Sequence, residues 1–270
     1  MATDLSLEQI TARSTGVFGG NVRFFDAIAS TNTEALEWAM NGAPEGALVV
    51  ADHQTGGRGR WGRTWFSAPG KLLQFSLVLR PDLEPHRHGV LTAALGVACA
   101  RATAGLTGLP ALVKWPNDVV VDDRKLAGML VESSMMGDRI GVAVCGIGIN
   151  VGLGRDEIPE DLRARASSIA IEVDRLGTGR VPDRTDLLIA IIDAIEVMYP
   201  AISGGNASAV LEEAAELSAV LGRHVRVRFA DGSAIEGEAQ GFDADGALLV
   251  DPGTGPRALH VGEIEQLRAV

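Results

Sequence analysis

Four glycines and three arginines fill most of eight consecutive positions, Gly56-Gly57-Arg58-Gly59-Arg60-Trp61-Gly62-Arg63, with Thr64-Trp65-Phe66 directly after. The glycines free the backbone to turn and to present its amides to an anion. Arginines two and three residues apart can surround one ligand with guanidinium forks, whose planar donor pairs match carboxylate and phosphate. A disordered RNA-binding tract or a bare solvated loop could carry the same letters. The single copy, flanked by β-rich runs and aromatics, favours an anion site that orders around its ligand.

A second stretch is Lys114-Trp115-Pro116-Asn117-Asp118, followed by Arg124-Lys125-Leu126-Ala127-Gly128-Met129-Leu130-Val131-Glu132. Pro116 should end the strand before it and aim Asn117 and Asp118 into a defined place. Lys125 falls in an apolar run, where its ammonium needs an anionic partner. Taken singly, a structural Asn–Asp turn and a surface lysine are the commoner readings, and it is the combination that points to a site. A third stretch, Cys145-Gly146-Ile147-Gly148-Ile149-Asn150, alternates glycine with apolar residues and suggests a strand that approaches another backbone or a ligand. There is neither a GxxxxGK[ST] phosphate loop nor a dinucleotide fingerprint. His86 and His88 form a His-x-His pair, but with no Cys or third His nearby they read as a solvated helix start, not a metal site.

These stretches need elements to hold them. Ser30-Thr31-Asn32-Thr33-Glu34 reads as a helix start with Thr31 as N-cap and Glu34 closing a capping box, and Asn41-Gly42 as its stop. Strands are expected over 47–51, 72–79, 112–115 and 140–150, and a hairpin over 119–131 turning at Asp122-Asp123. Helices are expected around 89–104, 184–198 and 208–221. Strand runs with helices between and after them point to an α+β fold. From Gly222 onwards short alternating strands and Asp-Gly turns predict a small β-barrel, which divides the chain into 1–221 and 222–270.

The bulk properties limit the function. With 46% apolar and 22% charged residues the chain is globular, and its net charge of −11 would repel nucleic acid on average. Cys99 and Cys145 sit in apolar runs, as buried thiols of a reducing compartment do. The polar, acidic start is no signal peptide, and the chain reads as cytoplasmic, with no membrane span.

In this order the motifs resemble the biotin–protein ligase family. The resemblance runs through Ser30-Thr31-Asn32, Gln54, Gly57 to Arg63, Lys114 to Asp118, Arg124 to Gly128 and Gly148-Ile149-Asn150, so it spans residues 30–150. It implies a mixed, mostly antiparallel sheet packed by helices, like that of class II aminoacyl-tRNA synthetases, and an SH3-like C-terminal barrel. It also implies an ATP-dependent ligase that makes biotinyl-5′-AMP. Biotin then passes to a lysine of the carboxyl carrier domain of acetyl-CoA, acyl-CoA or pyruvate carboxylase.

By that resemblance Ser30, Thr31, Asn32 and Gln54 hold the biotin ring, Gly128 and Gly146 leave room for the ligand, and the glycine-rich loop with Gly57 and Gly59 supplies backbone amides to the biotin carboxylate and the phosphate. Arg58 and Arg60 close over its carboxylate and the phosphate. Trp65 stacks on adenine, and Arg63, Asn117 and Asn150 contact the nucleotide. Lys125 touches both substrates and stabilises the transition state, Mg²⁺ carries pyrophosphate, and Asp118 either positions or deprotonates the acceptor lysine or braces the Asn117 turn. Some relatives carry an N-terminal DNA-binding domain. About 20 residues precede the first match here, so no repressor role and no DNA partner are expected. Lipoate–protein ligase and a non-catalytic biotin-binding regulator are the rival readings, with a peptide-binding scaffold a third.

Overall fold

A computed structural model of the chain describes residues 4–14 and 16–266. Its first body is a seven-stranded sheet. The strands are β1 (Val22–Ile28), β2 (Leu48–Gln54), β3 (Leu72–Leu79), β4 (Leu112–Lys114), β5 (Asp118–Val121), β6 (Arg124–Met136) and β7 (Arg139–Asn150). They are ordered β1-β2-β3-β7-β6-β5-β4. Only β1 and β2 run parallel; every other pair is antiparallel. The α+β expectation holds.

The sheet separates two environments because side chains alternate across it. On one face Phe75, Leu77, Cys145, Ile147 and Met129 join the main core beneath α3 (His88–Thr107), α5 (Arg184–Ser203) and α6 (Ser208–Glu216). α3 is long and apolar enough to cross a membrane, but it is a core helix packed on α5, α6 and the sheet. The other face carries Val78, Val142 and Val144, which pack beneath Ala35 and Ala39 of α2 (Thr31–Met40). Beyond α2, this second face borders a cavity at Gly146, Gly148 and Gly128.

Two shorter helices were not foreseen. α1 (Leu7–Arg13) and α4 (Ile169–Leu176) each span two turns or so and start at Ser6 and Ser168, whose hydroxyls cap the next turn. α2 also differs in detail, since its N-cap is Ser30 and not Thr31. Thr31 is already helical because its N–H donates to Gln54 Oε1 at 2.8 Å. Glu34 does not fold back on the cap: Arg23 on β1 draws it away at 2.6 Å.

The hairpin between β5 and β6 turns on Asp122 and Asp123, both at positive φ (46° and 65°), as a two-residue turn matched to strand twist requires. β4 stops at Lys114, before the cis Trp115–Pro116 peptide.

The C-terminal body is a five-stranded antiparallel sheet in the order β11-β10-β9-β8-β12. It is built from β8 (His224–Arg228), β9 (Ala234–Phe242), β10 (Leu248–Asp251), β11 (Arg257–Leu259) and β12 (Glu263–Gln266). Val225, Val227, Ala239, Leu248, Val250 and Ile264 form its core, and Trp115 and Val120 of the larger body reach into it. The outer ends of the expected division, 1–3 and 267–270, lie outside the described residues.

Candidate active site

One cavity of about 280 Å³ opens on the α2 face of the sheet. Ser30, Thr31, Asn32, Gln54, Arg58, Gly59, Arg60, Arg63, Trp65, Asn117, Asp118, Lys125, Gly128, Gly146 and Asn150 all line it. Residues separated by up to 120 positions are thereby brought together. Gly57 stands just behind the wall, with its carbonyl accepting from Trp65 N–H at 2.9 Å.

The inner end is polar and tightly bonded. Gln54 Oε1 accepts from the Thr31 N–H (2.8 Å) and hydroxyl (3.1 Å), while its amide donates to Gln74 Oε1 at 3.0 Å. Gln74 in turn donates to Ser67 Oγ at 2.9 Å. Asn32 donates to Leu130 O (3.2 Å) and Glu132 Oε2 (2.8 Å), and its carbonyl accepts from the buried Ser76 hydroxyl at 2.6 Å. Such a chain sets the direction of each amide before a ligand arrives.

Period two along β7 puts Gly146, Gly148 and Asn150 on the cavity face and Cys145 and Ile147 in the core. Glycine is required there, but the tight contacts are to protein. A Cβ at Gly146 would stand 2.1 Å from Asn32 Oδ1. One at Gly148 would stand 2.5 Å from Trp65 Cε2, and one at Gly128 2.9 Å from Lys125 Nζ and 3.1 Å from Trp65 Cζ3. Gly128 and Gly146, expected to leave room for the ligand, line the cavity and also seat the Asn32 amide, the Lys125 ammonium and the Trp65 indole of its wall. Asn150 is held by donation to Ser167 O at 2.9 Å.

Lys125 finds the anionic partner its apolar setting demands. Its Nζ lies 2.6 Å from Asp118 Oδ1, across the β5–β6 pair, and 5.4 Å from the Trp65 ring centroid. The turn before Asp118 is braced separately. Asn117 donates from Nδ2 to Met129 O at 2.7 Å, and its own carbonyl accepts from Met129 N–H at 2.9 Å.

The glycine–arginine loop folds as a tight turn over the cavity, closed by the Arg58–Thr64 bridge, with Trp61 and Gly62 at positive φ (57° and 72°). Trp61 is half exposed between Arg60 and Arg63, whose guanidinium carbons sit 5.2 and 5.4 Å from its ring centroid. Arg58 donates to Glu132 Oε2 at 3.0 Å. Arg60 donates to Asn117 Oδ1 (3.3 Å) and to Gly262 O of the C-terminal body (3.0 Å). Burial lowers the pKa of Arg60, which marks a cation short of solvent. Arg63 grips Glu263 with both terminal nitrogens at 2.7 and 2.5 Å, and this hydrogen bonding draws the Glu263 carboxyl down to about 2.

The outer end is apolar. Leu153, Ile158 and Leu72 form a small core with Trp65, Phe66, Leu162 and Ala166, and the 162–167 segment is tied to Lys125 by Lys125 N–H to Arg165 O (2.8 Å) and Ser167 N–H to Lys125 O (2.9 Å). The sequence reading missed that wall, as well as Ser76, Gln74, Glu132 and Glu263. Glu132 closes the second stretch but was given no role there; Gln74 and Ser76 stand behind the cavity wall by strand register, and Glu263 reaches the cavity from the C-terminal body. Both thiols are buried and pushed up to about 12, so they are inert packing groups. His86 lies near Glu84 and Asp245 (3.4 and 3.6 Å), and no cluster able to hold a metal exists among the described residues.

Comparison with known proteins follows the same division. Residues 24–150 match the Biotin/lipoate A/B protein ligase family and residues 220–266 the Biotin protein ligase C terminal domain. The bifunctional ligase/repressor BirA of Bacillus spizizenii is 34% identical over 253 residues, covering 93% of this chain and 75% of that one. The biotin–[acetyl-CoA-carboxylase] ligase of Mycobacterium tuberculosis is 31% identical over 258 residues, covering 93% and 91%. The Aquifex aeolicus biotin protein ligase in complex with biotin and ATP superposes with a TM-score of 0.75 at 28% identity, covering 92% and 99%.

Proposed function

Because this chain belongs to the biotin protein ligase family, we propose that it joins biotin to ATP as biotinyl-5′-AMP and then transfers biotin to a lysine of a carrier protein. One observation carries the assignment of its chemistry. A polar blind end, a row of cations and an aromatic-floored apolar wall meet in a single cavity in that order, as ureido ring, carboxylate–phosphate junction and adenine require.

Biotin's ring lies against Thr31, Asn32 and Gln54, with Ser30 at the head of α2. Its carboxylate oxygen attacks the α-phosphorus of ATP, and the bond from that phosphorus to the α,β-bridging oxygen breaks to release pyrophosphate. Two anions must approach, so Arg60 and Lys125 offset their repulsion, while Arg58, held by Glu132, closes the loop beside them. Lys125 lies over the Trp65 edge, between the two ends of the cavity, and stabilises the charge that builds on the α-phosphoryl group. Asp118 fixes the Lys125 ammonium and is a positioning residue. Trp65 carries adenine, and Arg63, Asn117 and Asn150 border the nucleotide.

In the second step the acceptor lysine, as free amine, attacks the biotinyl carbonyl. The C–O bond breaks, AMP leaves, and the amine proton goes to solvent. A loop closed over the mixed anhydride keeps water from doing the same. The acceptor is the biotin carboxyl carrier domain of an acetyl-CoA, acyl-CoA or pyruvate carboxylase, and the working compartment is the cytoplasm. Mg²⁺ has no built site among the described residues, where the nearby carboxylates Asp118 and Glu263 are engaged with cations. It therefore enters on the phosphates of ATP, where it would neutralise their charge.

ATP–pyrophosphate exchange with biotin or lipoate tests the proposal. Exchange that requires biotin is expected. Exchange with lipoate alone would transfer the chain to the lipoate branch, and none with either would leave a binding protein.

A further inference from the structure

The three arginines of the loop do not have equal partners. Arg58, at one end, is bonded to Glu132 on β6, and Arg63, at the other, is gripped by Glu263 on β12 of the C-terminal body. Arg60, between them, has no carboxylate within 4.0 Å among the described residues and rests on two carbonyl oxygens. The outer cations are thus neutralised by the protein itself, and the middle one is left for a substrate anion.

Both carboxylates are themselves held in place. Glu132 also accepts from Asn32 Nδ2 at 2.8 Å, which ties it to the cavity's polar end. Glu263 sits in the β12–β8 ladder opposite Arg228, whose guanidinium lies 3.4 Å away. The loop is therefore fastened at two points, to the large sheet and to the C-terminal sheet, and opening it breaks both ion pairs.

We infer that Glu132 and Glu263 are latch residues, which keep the glycine–arginine loop shut over the reaction intermediate by holding Arg58 and Arg63. This rests on the ligase reading above and assigns those two arginines to closure ahead of anion binding. Neither carboxylate touches the reacting atoms, so both are positioning residues. The opposite role is a placeholder, in which each carboxylate occupies an arginine that substrate must later claim. The two roles predict opposite signs: losing a latch speeds escape of the intermediate, whereas losing a placeholder tightens substrate binding.

The test loads wild type, Glu132→Gln, Glu263→Gln and the double variant with labelled biotin and ATP, removes free substrate and follows escape of biotinyl-AMP into a chase. Both pairs are partly exposed, so each single variant should release roughly three- to fivefold faster, and the double variant by about the product. Thermal melting checks that each variant is folded. Arg63→Ala, Glu263→Ala and their combination form a cycle in which a latch makes the double change no worse than either single one. Unchanged or slower release with tighter biotin or ATP binding, or additive losses in the cycle, would overturn the inference. Wild type that forms no biotinyl-AMP would instead sink the ligase reading, so the two failures are distinct.

Discussion

Lys125 Nζ stands 2.6 Å from Asp118 Oδ1, a diagonal contact between neighbouring strands in which Asp118 pairs with Gly128 and Lys125 with Val120, and whose turn is the Asp122-Asp123 pair. A bulge between Val119 and Val120 shifts the register there, which lets a side chain seven positions further on meet Asp118. The carboxylate thus settles the cost of a cation in an apolar run and aims it at the cavity.

Removing the ammonium should affect chemistry far more than folding. Lys125→Ala is expected to slow adenylate formation by about a hundredfold or more, on the scale of a lost transition-state contact. Its effect on stability should stay near 1 kcal/mol, since the side chain is a third exposed. Single-turnover quench kinetics alongside denaturant melts would check both; an unchanged rate removes Lys125 from the mechanism.

The two glycines of β7 should fail in different ways. Gly148→Ala pushes a methyl group into Trp65 and should weaken ATP binding more than biotin binding. Gly146→Ala collides with the Asn32 amide and should do the reverse. Each overpacking costs about 1–3 kcal/mol. Isothermal titration with each substrate separately decides it, and equal losses for both ligands would refute the assignment of the two ends.

Ser76 lies fully buried beneath the polar end, and its hydroxyl meets both Thr31 and Asn32. Ser76→Ala leaves the Asn32 carbonyl without its donor, at a cost of about 1–3 kcal/mol. KM for biotin should rise with KM for ATP little changed, as steady-state kinetics would show.

The Arg63–Glu263 pair has a defined pH window. Glu263 is drawn down from the ordinary 4.5 to about 2, so the unfolded chain binds its proton first as pH falls. The stability it adds is therefore complete above the unfolded value and is lost progressively between about 4.5 and 2. Because both partners are partly exposed, the amount is about 1 kcal/mol or less. Melts of wild type and Glu263→Gln should differ above pH 5 and converge towards pH 2; a constant gap would contradict the pair.

Glu172 tests a different layer. It is fully buried and accepts from Arg124, Arg175 and Ser167, behind the strand that carries Lys125. Glu172→Ala leaves the buried Ser167 hydroxyl without its acceptor and two partly exposed arginines short of one, and should cost about 1–3 kcal/mol. Wild-type stability in urea would argue that the cluster is dispensable.

The chemistry-bearing residues were legible in the chain because each obeys a local rule. Glycine is needed where the backbone turns, arginine forks suit anions, proline stops a strand, and alternation with period two displays Gly146, Gly148 and Asn150 on one face. Local rules also revealed most strands, the long helices and the change of character near residue 222. What they could not supply was partnership. Thr31 obeys helix-capping statistics, yet Gln54, more than twenty positions away, claims its N–H and leaves the cap to Ser30. Glu132 and Glu263 look like ordinary strand-borne acids until strand register and the packing of two bodies bring them to Arg58 and Arg63. Hydrogen bonds and ion pairs act over about 3 Å and are indifferent to chain separation, so the identities were written locally while the pairings arose only from the assembled fold.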